Sequence, residues 1–333
     1  MTISIRTIFL AVVVGLALAV SAFAQQQEDE GTRRIWDSEF LKKRAAAKPP
    51  PTNTATTPPT AASSGGSGGS GKFPGYRRAT AKAATPAKAS DKAEVKNPPA
   101  SVAAIKEEKP EGELLGVTIW RLRSSRENDD REGRILLEEE GTGKAAEWTP
   151  ERVEADTIFA AGQRLRLSIE SPRSGYLYVI DRELYADGSM SEPYLVFPTL
   201  RNNNGNNQVA AGKVIEIPGK TVFRLTASRP DYKGELLMLL VTSEPLKEVV
   251  VKSGISKLDS QLVAQWEKDW SAPVERFEMI GGAGKTRTKA ENEAGQEGKR
   301  LLTQEDDLPQ TLYRVAVKPG NPFLGIVTLK VGN

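Results

Sequence analysis

From Leu114 onward the apolar residues come in short runs of strand formers, each closed by Gly, Pro, Asn or Asp. Nowhere do these runs alternate with helical stretches in the way a parallel sheet requires. The pattern is fullest in Gly175 to Pro198, GYLYVIDRELYADGSMSEPYLVFP. Tyr176 to Ile180 is one strand run, Asp187-Gly188 is a turn, and Tyr194 to Phe197 is a second run that stops at Pro198. Gly and Asp tolerate the left-handed backbone of tight turns, so this stretch predicts a hairpin. Gly116 to Leu122 alternates, with Val117, Ile119 and Arg121 opposite Thr118, Trp120 and Leu122. Arg164 to Ser171 alternates more cleanly. Leu165, Leu167 and Ile169 share one side, and Arg164, Arg166, Ser168 and Glu170 share the other, the mark of a half-solvated strand. Val214 to Ile217 and Val222 to Leu225 are further runs, and Leu236 to Val241 is apolar throughout, as a central strand covered on both faces would be. The expected fold is all-β: an antiparallel β-sandwich of immunoglobulin-like architecture with one packed α-helix.

That helix is expected over 256–270. Ser256 can cap Lys257 to Trp270, where Leu258, Leu262, Trp266 and Trp270 recur every fourth residue, a stripe fit to pack on an open face or edge of the sandwich. The polar, Gly-containing stretch 281–300 reads as a mobile loop. Thr311 to Val317 and Phe323 to Val331, joined by KPGNP, read as a final β-hairpin over 311–331. Residues 114–333 thus form one domain with an appended β layer, with a split near Lys252 as the alternative.

Residues 1–113 have a different texture. Met1 to Ala24 carries Arg6, an apolar run from Ile8 to Val20 and the small-x-small triplet Ala22-Phe23-Ala24, the layout of a cleaved signal peptide over 1–24. The run is shorter than the roughly 20 apolar residues of a spanning helix, so no membrane span is expected after cleavage. Ten of the chain's 21 prolines lie between Pro49 and Pro110, among Thr-, Ala/Lys- and Gly/Ser-rich tracts. Such a stretch buries too little apolar surface to offset the entropy lost on ordering, so 25–113 is expected to be a disordered arm. One island interrupts it. Thr32 to Ala47, TRRIWDSEFLKKRAAA, has the composition of a short helix over 32–47 with Ile35, Trp36 and Phe40 near one another. Trp36 and Phe40 are therefore candidate partner-binding residues, the alternative being a segment that folds back on its own domain.

Cysteine and histidine are both absent. Disulfides, thiolate nucleophiles, Cys/His zinc sites and an imidazole base are thereby excluded. A net charge of +3 is too small to suggest nucleic acid. Gly281-Gly282-Ala283-Gly284-Lys285-Thr286 resembles a phosphate loop, but Met279 stands where that motif needs its first glycine. Glu183, Tyr185 and Asp187 before Gly188 echo a calcium loop only faintly, because Tyr185 and Tyr194 occupy ligand positions. Asp181, Glu183 and Asp187 offer an acidic pair for hydrolytic chemistry. Arg201 to Gln208 is a polar loop, and Tyr176, Tyr178, Tyr185 and Tyr194 offer rings for a glycan or for the core.

Gly175-Tyr176-Leu177-Tyr178-Val179, Asp187-Gly188, Phe197-Pro198, the Asn-rich turn, Ala211-Gly212, Ile217-Pro218 and Glu235 to Leu246 follow one another in order. In this order the chain resembles the bacterial family known as domain of unknown function 4384, over about Glu147 to Leu246. The resemblance implies a β-rich domain attached to exported proteins or to kinase-like and caspase-like partners. It implies no catalytic residues. The expected function is a non-enzymatic, exported binding module of the bacterial cell envelope, periplasmic or secreted, with a protein partner. Tyr185 and Asp187 join Trp36 and Phe40 as candidate contact residues. A glycan ligand remains open, and no nucleic acid, cofactor, metal or catalytic residue is assigned. The alternatives are a carboxylate-based envelope hydrolase and a structural subunit or spacer.

Overall fold

The structure is a computed structural model and describes residues 35–44, 112–138, 143–219, 221–295 and 300–332. The signal segment 1–24, and the arm apart from 35–44, lie outside these residues.

The strands are β1 (Glu113–Ser124), β2 (Ile135–Glu138), β3 (Ala145–Val153), β4 (Ile158–Ala160), β5 (Arg164–Glu170), β6 (Gly175–Tyr185), β7 (Tyr194–Phe197), β8 (Gln208–Val209), β9 (Val214–Ile217), β10 (Phe223–Arg224), β11 (Tyr232–Thr242), β12 (Ser256–Lys257), β13 (Val274–Glu278), β14 (Thr311–Val315) and β15 (Phe323–Gly332). Helix α1 (Ser260–Trp270) lies between β12 and β13, and the short α2 (Lys289–Gly295) lies between β13 and β14. No described helix is long and apolar enough to cross a membrane.

Two sheets face each other. The first runs β10-β5-β1-β14-β13, with β3 on the second half of β1, β2 on β3, and β9 on the second half of β5. The second runs β12-β7-β6-β11-β15-β4, with β8 on β6. Pairing is antiparallel except between β15 and β4. Alternation explains which side chains meet: Val117 and Ile119, Leu165 and Leu167, Leu177 and Val179, and Leu237 and Leu239 point inward and form one buried cluster between the sheets. The two-sheet β-sandwich expected from the sequence is the fold adopted.

β6 and β7 form the expected hairpin, with Gly188 at φ 81° in the turn. β11 is central, between β6 and β15. Its opposite face, Met238 and Leu240, joins Tyr178, Ile180 and Leu324 in a second core under α1, where Val263 and Trp266 are buried. Tyr176 and Tyr178 therefore belong to this packing, and the Tyr178 hydroxyl accepts from the Leu246 backbone N–H at 2.9 Å.

Four expectations differ from the structure. The helix begins at Ser260 with Asp259 as its cap, because Ser256–Lys257 is drawn into a strand pair with β7. β14 and β15 are not a hairpin: β14 lies between β1 and β13, and β15 between β11 and β4 of the other sheet. The KPGNP segment is an arch from one sheet to the other, and the last strands sit inside both sheets instead of forming an appended layer. Residues 281–295 are not a loose loop. Gly284 N–H bonds the Arg152 carbonyl, Arg287 N–H bonds the Pro150 carbonyl, and Arg287 is 1% exposed. Residues 296–299 lie outside the described set. The fourth difference, the outward face of β5, shapes the site.

Candidate functional site

The outward row of β5 is polar in sequence yet buried: Arg166 and Glu170 are 6% and 5% exposed. Charged side chains leave water only when partners replace it. Here the partners come from distant parts of the chain. Residues 279–295 and 300–310 cross this face of the first sheet, and residues 35–44 lie beside them. Arg287 Nη1 donates to Glu216 Oε1 at 2.6 Å, and Arg166 Nη1 lies 3.6 Å from Glu216 Oε2. Burial holds Arg166 down at about 10, against the upward pull of Glu216.

Ile35–Phe40 forms a wide helical turn that tightens into a 3₁₀ turn over Leu41–Lys43 before the chain extends at Arg44. Trp36, Phe40 and Arg44 recur every fourth residue, so successive turns aim them at one surface. Ile35, Trp36 and Phe40 are 5%, 4% and 3% exposed, against Leu114 of β1 and Leu312 of β14, with Phe277, Met279 and Leu308 at the margins. Trp36 and Phe40 meet edge to face at 6.0 Å between ring centres. The floor is low because β1 has a glycine there. A Cβ on Gly116 would lie 3.1 Å from the Phe40 ring and 2.7 Å from Pro309.

Arg44 anchors the far end of the segment. Its Nε and Nη2 donate to the two Glu170 oxygens at 3.0 and 2.7 Å, and its Nη1 and Nη2 also donate to the Asp306 and Asp307 carbonyls at 2.8 and 3.1 Å. Burial pushes the Glu170 carboxyl above its usual range, while the Arg44 guanidinium draws it back down. Glu39 makes a third anchor, accepting from Arg314 Nη2 at 2.5 Å; Arg314 also pairs with Glu275 at 2.9 Å. A small recess of about 40 Å³ opens beside Arg44, lined in part by Trp120, Arg152, Ser168 and Glu291. Arg152 in it donates to the Leu308 carbonyl at 2.7 Å and pairs with Glu291.

Trp36 and Phe40 thus lie in a groove of the chain's own domain, the folded-back alternative. The segment joins neither sheet: apart from the Leu41 carbonyl, which accepts from Gln304 Nε2 at 3.4 Å, its contacts are made by its side chains. Three buried apolar side chains are set against the ordering of ten residues, opposing terms of the same order. The buried Arg44–Glu170 pair adds specificity more than net stability. Among the described residues the Trp36 indole N–H has no hydrogen-bond partner.

Tyr185 and Asp187 lie elsewhere, at the β6–β7 turn of the second sheet. Tyr185 is 8% exposed, lies under Arg229 at 3.9 Å, and shares a 3.1 Å hydrogen bond with Ser228. Asp187 is exposed at the tip, where its Oδ1 accepts from the Ser189 backbone N–H at 2.9 Å and Arg229 lies 3.5 Å away. Asp187 therefore caps its own turn and does not converge with Asp181 and Glu183.

A different carboxyl pair does converge. Asp181 pairs across with Leu237 and Glu183 with Glu235, so Asp181 and Glu235 are diagonal neighbours on the inward face of β6 and β11. Side by side on this face, the two carboxyl groups disfavour carrying two charges at once. Burial raises both carboxyls; the like charges of Asp181 and Glu183 add to the rise in Glu235, and that of Glu183 adds to the rise in Asp181. The Tyr232 hydroxyl donates to Glu235 Oε1 at 2.6 Å. Glu235 gave no sign of this in the sequence, because the diagonal depends on strand register.

No protein-family profile matches this chain, and no curated protein or solved structure matches it either.

Proposed function

We propose that this chain is a non-enzymatic interaction module, exported to the periplasm or beyond and working by recognising a protein partner. One observation supports the reading most: the first sheet carries a groove with an apolar floor and a buried carboxylate that holds a short linear segment without adding a strand to the sheet. That is the construction of a helix-in-groove recognition site. Membership of the family of unknown function 4384, suggested by the ordered motifs between Gly175 and Leu246, is part of the same proposal. The partner is proposed to be a protein of the bacterial envelope.

A carboxylate hydrolase is the second reading, and the raised Asp181–Glu235 pair is what favours it. Against it, Glu235 is 8% exposed and lies on the sheet face that carries the inter-sheet core, where a polysaccharide strand has no approach. Crosslinking of the native protein in its own envelope, followed by co-purification, tests the leading reading. A specific protein crosslink is expected. Hydrolysis of peptidoglycan by the purified chain, abolished by Glu235→Gln, would overturn it.

A further inference from the structure

The groove on the first sheet is read above as a recognition site; its chemistry further specifies what it recognises. From one end to the other it presents an apolar floor at Leu114 and Leu312, the gap above Gly116, and the Glu170 carboxylate. Each is matched once by the resident segment: Ile35 and Trp36 on the floor, Phe40 over the gap, Arg44 on the carboxylate with both oxygens engaged. The spacing of four residues between Trp36, Phe40 and Arg44 makes this a linear pattern, carried here by a wide turn, a 3₁₀ turn and an extended Arg44. We propose that the groove is a receptor for linear segments of another protein bearing an apolar residue and Trp, then Phe four residues after the Trp, then Arg four residues after the Phe. The resident Ile35–Arg44 is its intramolecular competitor.

Two features make the resident exchangeable. It adds no strand to either sheet, so its departure breaks no ladder. It is joined to β1 only through residues 45–111. A covalently attached segment competes intramolecularly with any segment from outside. A partner segment of the same pattern binds weakly while the resident is in place and strongly once it is displaced or cleaved away. Glu170 takes a bidentate guanidinium, which a lysine cannot reproduce.

The proposal rests on the interaction-module reading, and its test is separate from the crosslinking experiment. The probe is a fluorescent peptide of residues 32–47, titrated into the full chain and into a full chain carrying Trp36→Ala and Phe40→Ala. The double variant is expected to bind saturably, at least about tenfold tighter than the wild type, by the competition of a tethered segment. Probes with Phe40→Ala or Arg44→Lys are expected to lose at least about tenfold in affinity. If the double variant fails to fold, a wild-type chain cut at a protease site inserted within residues 45–111 replaces it, and excess probe must displace the N-terminal fragment. Failure of both receivers to bind, equal affinity of both chains, or indifference to Arg44→Lys would overturn the proposal. Wild-type dimers that vanish with Trp36→Ala would overturn it too, in favour of exchange with a second copy. A null peptide titration with persistent crosslinks sinks only this inference; glycan hydrolysis sinks the reading beneath it.

Discussion

Two buried carboxylates on the outer face of the first sheet, Glu216 and Glu170, look alike and are expected to respond differently to the same substitution. Glu216→Gln keeps the shape and removes the charge that Arg287 and Arg166 share, at 2.6 and 3.6 Å. Arg287 is 1% exposed, and its Nε and Nη2 have no hydrogen-bond partner among the described residues. Its backbone N–H is tied to the Pro150 carbonyl at 3.0 Å, so it cannot swing into water without breaking that edge. An uncompensated buried guanidinium costs roughly 3–5 kcal/mol. In a domain of this size that lowers Tm by on the order of 10 °C. Glu170→Gln also strands a buried guanidinium, that of Arg44. Arg44, however, sits on a segment that can leave, and once it leaves, both groups are hydrated. The expected loss is nearer 1 kcal/mol, the scale of a screened pair. Thermal and urea unfolding of the two variants, followed by far-UV circular dichroism, measures both losses. Equal losses, or a loss below about 1 kcal/mol for Glu216→Gln, would refute the assignment of one pair to the rigid frame and the other to a detachable segment.

Other expectations follow from the same packing. Gly295→Ala would place a Cβ 2.4 Å from Glu216 Oε1, so it should push that carboxylate off Arg287 and cost roughly 1–3 kcal/mol by denaturant titration. The Asp181–Glu235 pair sets a pH dependence. Both carboxyls are raised by burial, so the folded chain binds protons more tightly than the unfolded one; their stabilising contribution is complete below the ordinary carboxyl values near pH 4 and declines as pH rises. Asp306, held down at about 2 chiefly by Arg300, acts the other way and loses its contribution as pH falls below about 4. Tm measured from pH 8 down to pH 5 should therefore rise in the wild type and flatten in Glu235→Gln, and a wild-type Tm that falls over that range contradicts the upward shift of this buried pair. Trp266→Ala, which empties the core beneath α1, should cost roughly 3–5 kcal/mol while leaving peptide binding in the groove unchanged.

The sequence made the strands legible where one local period decided them. Leu165, Leu167 and Ile169 alternate with polar residues, and that alternation placed them in the core. It misread the other side of the same strand as wet, because what covers Arg166 and Glu170 comes from Arg44, Glu216 and Arg287, far away along the chain. Residues that solvate a strand and residues that pair within a covered face have the same composition. The Pro/Gly arch after β14 misled in a related way, since such a segment turns a chain back within one sheet or carries it to the next. Ser256 and Asp259 can both cap a helix, and only the pairing of Ser256 with Leu195 removes the first. The spacing of Trp36 and Phe40 announced an apolar face; the surface it packs on was hidden, being assembled from β1, β5 and β14.

The placement of β14 and β15 has a consequence for the order of folding. β1 pairs with β14 across some two hundred residues, and β11 awaits β15 before its second edge is filled. Neither sheet can close until the final strands have been synthesised, so a nascent chain stopped before Thr311 would expose two bare interior edges. Such a polypeptide stays open until its last strands have emerged, and chaperones would meet it in that condition.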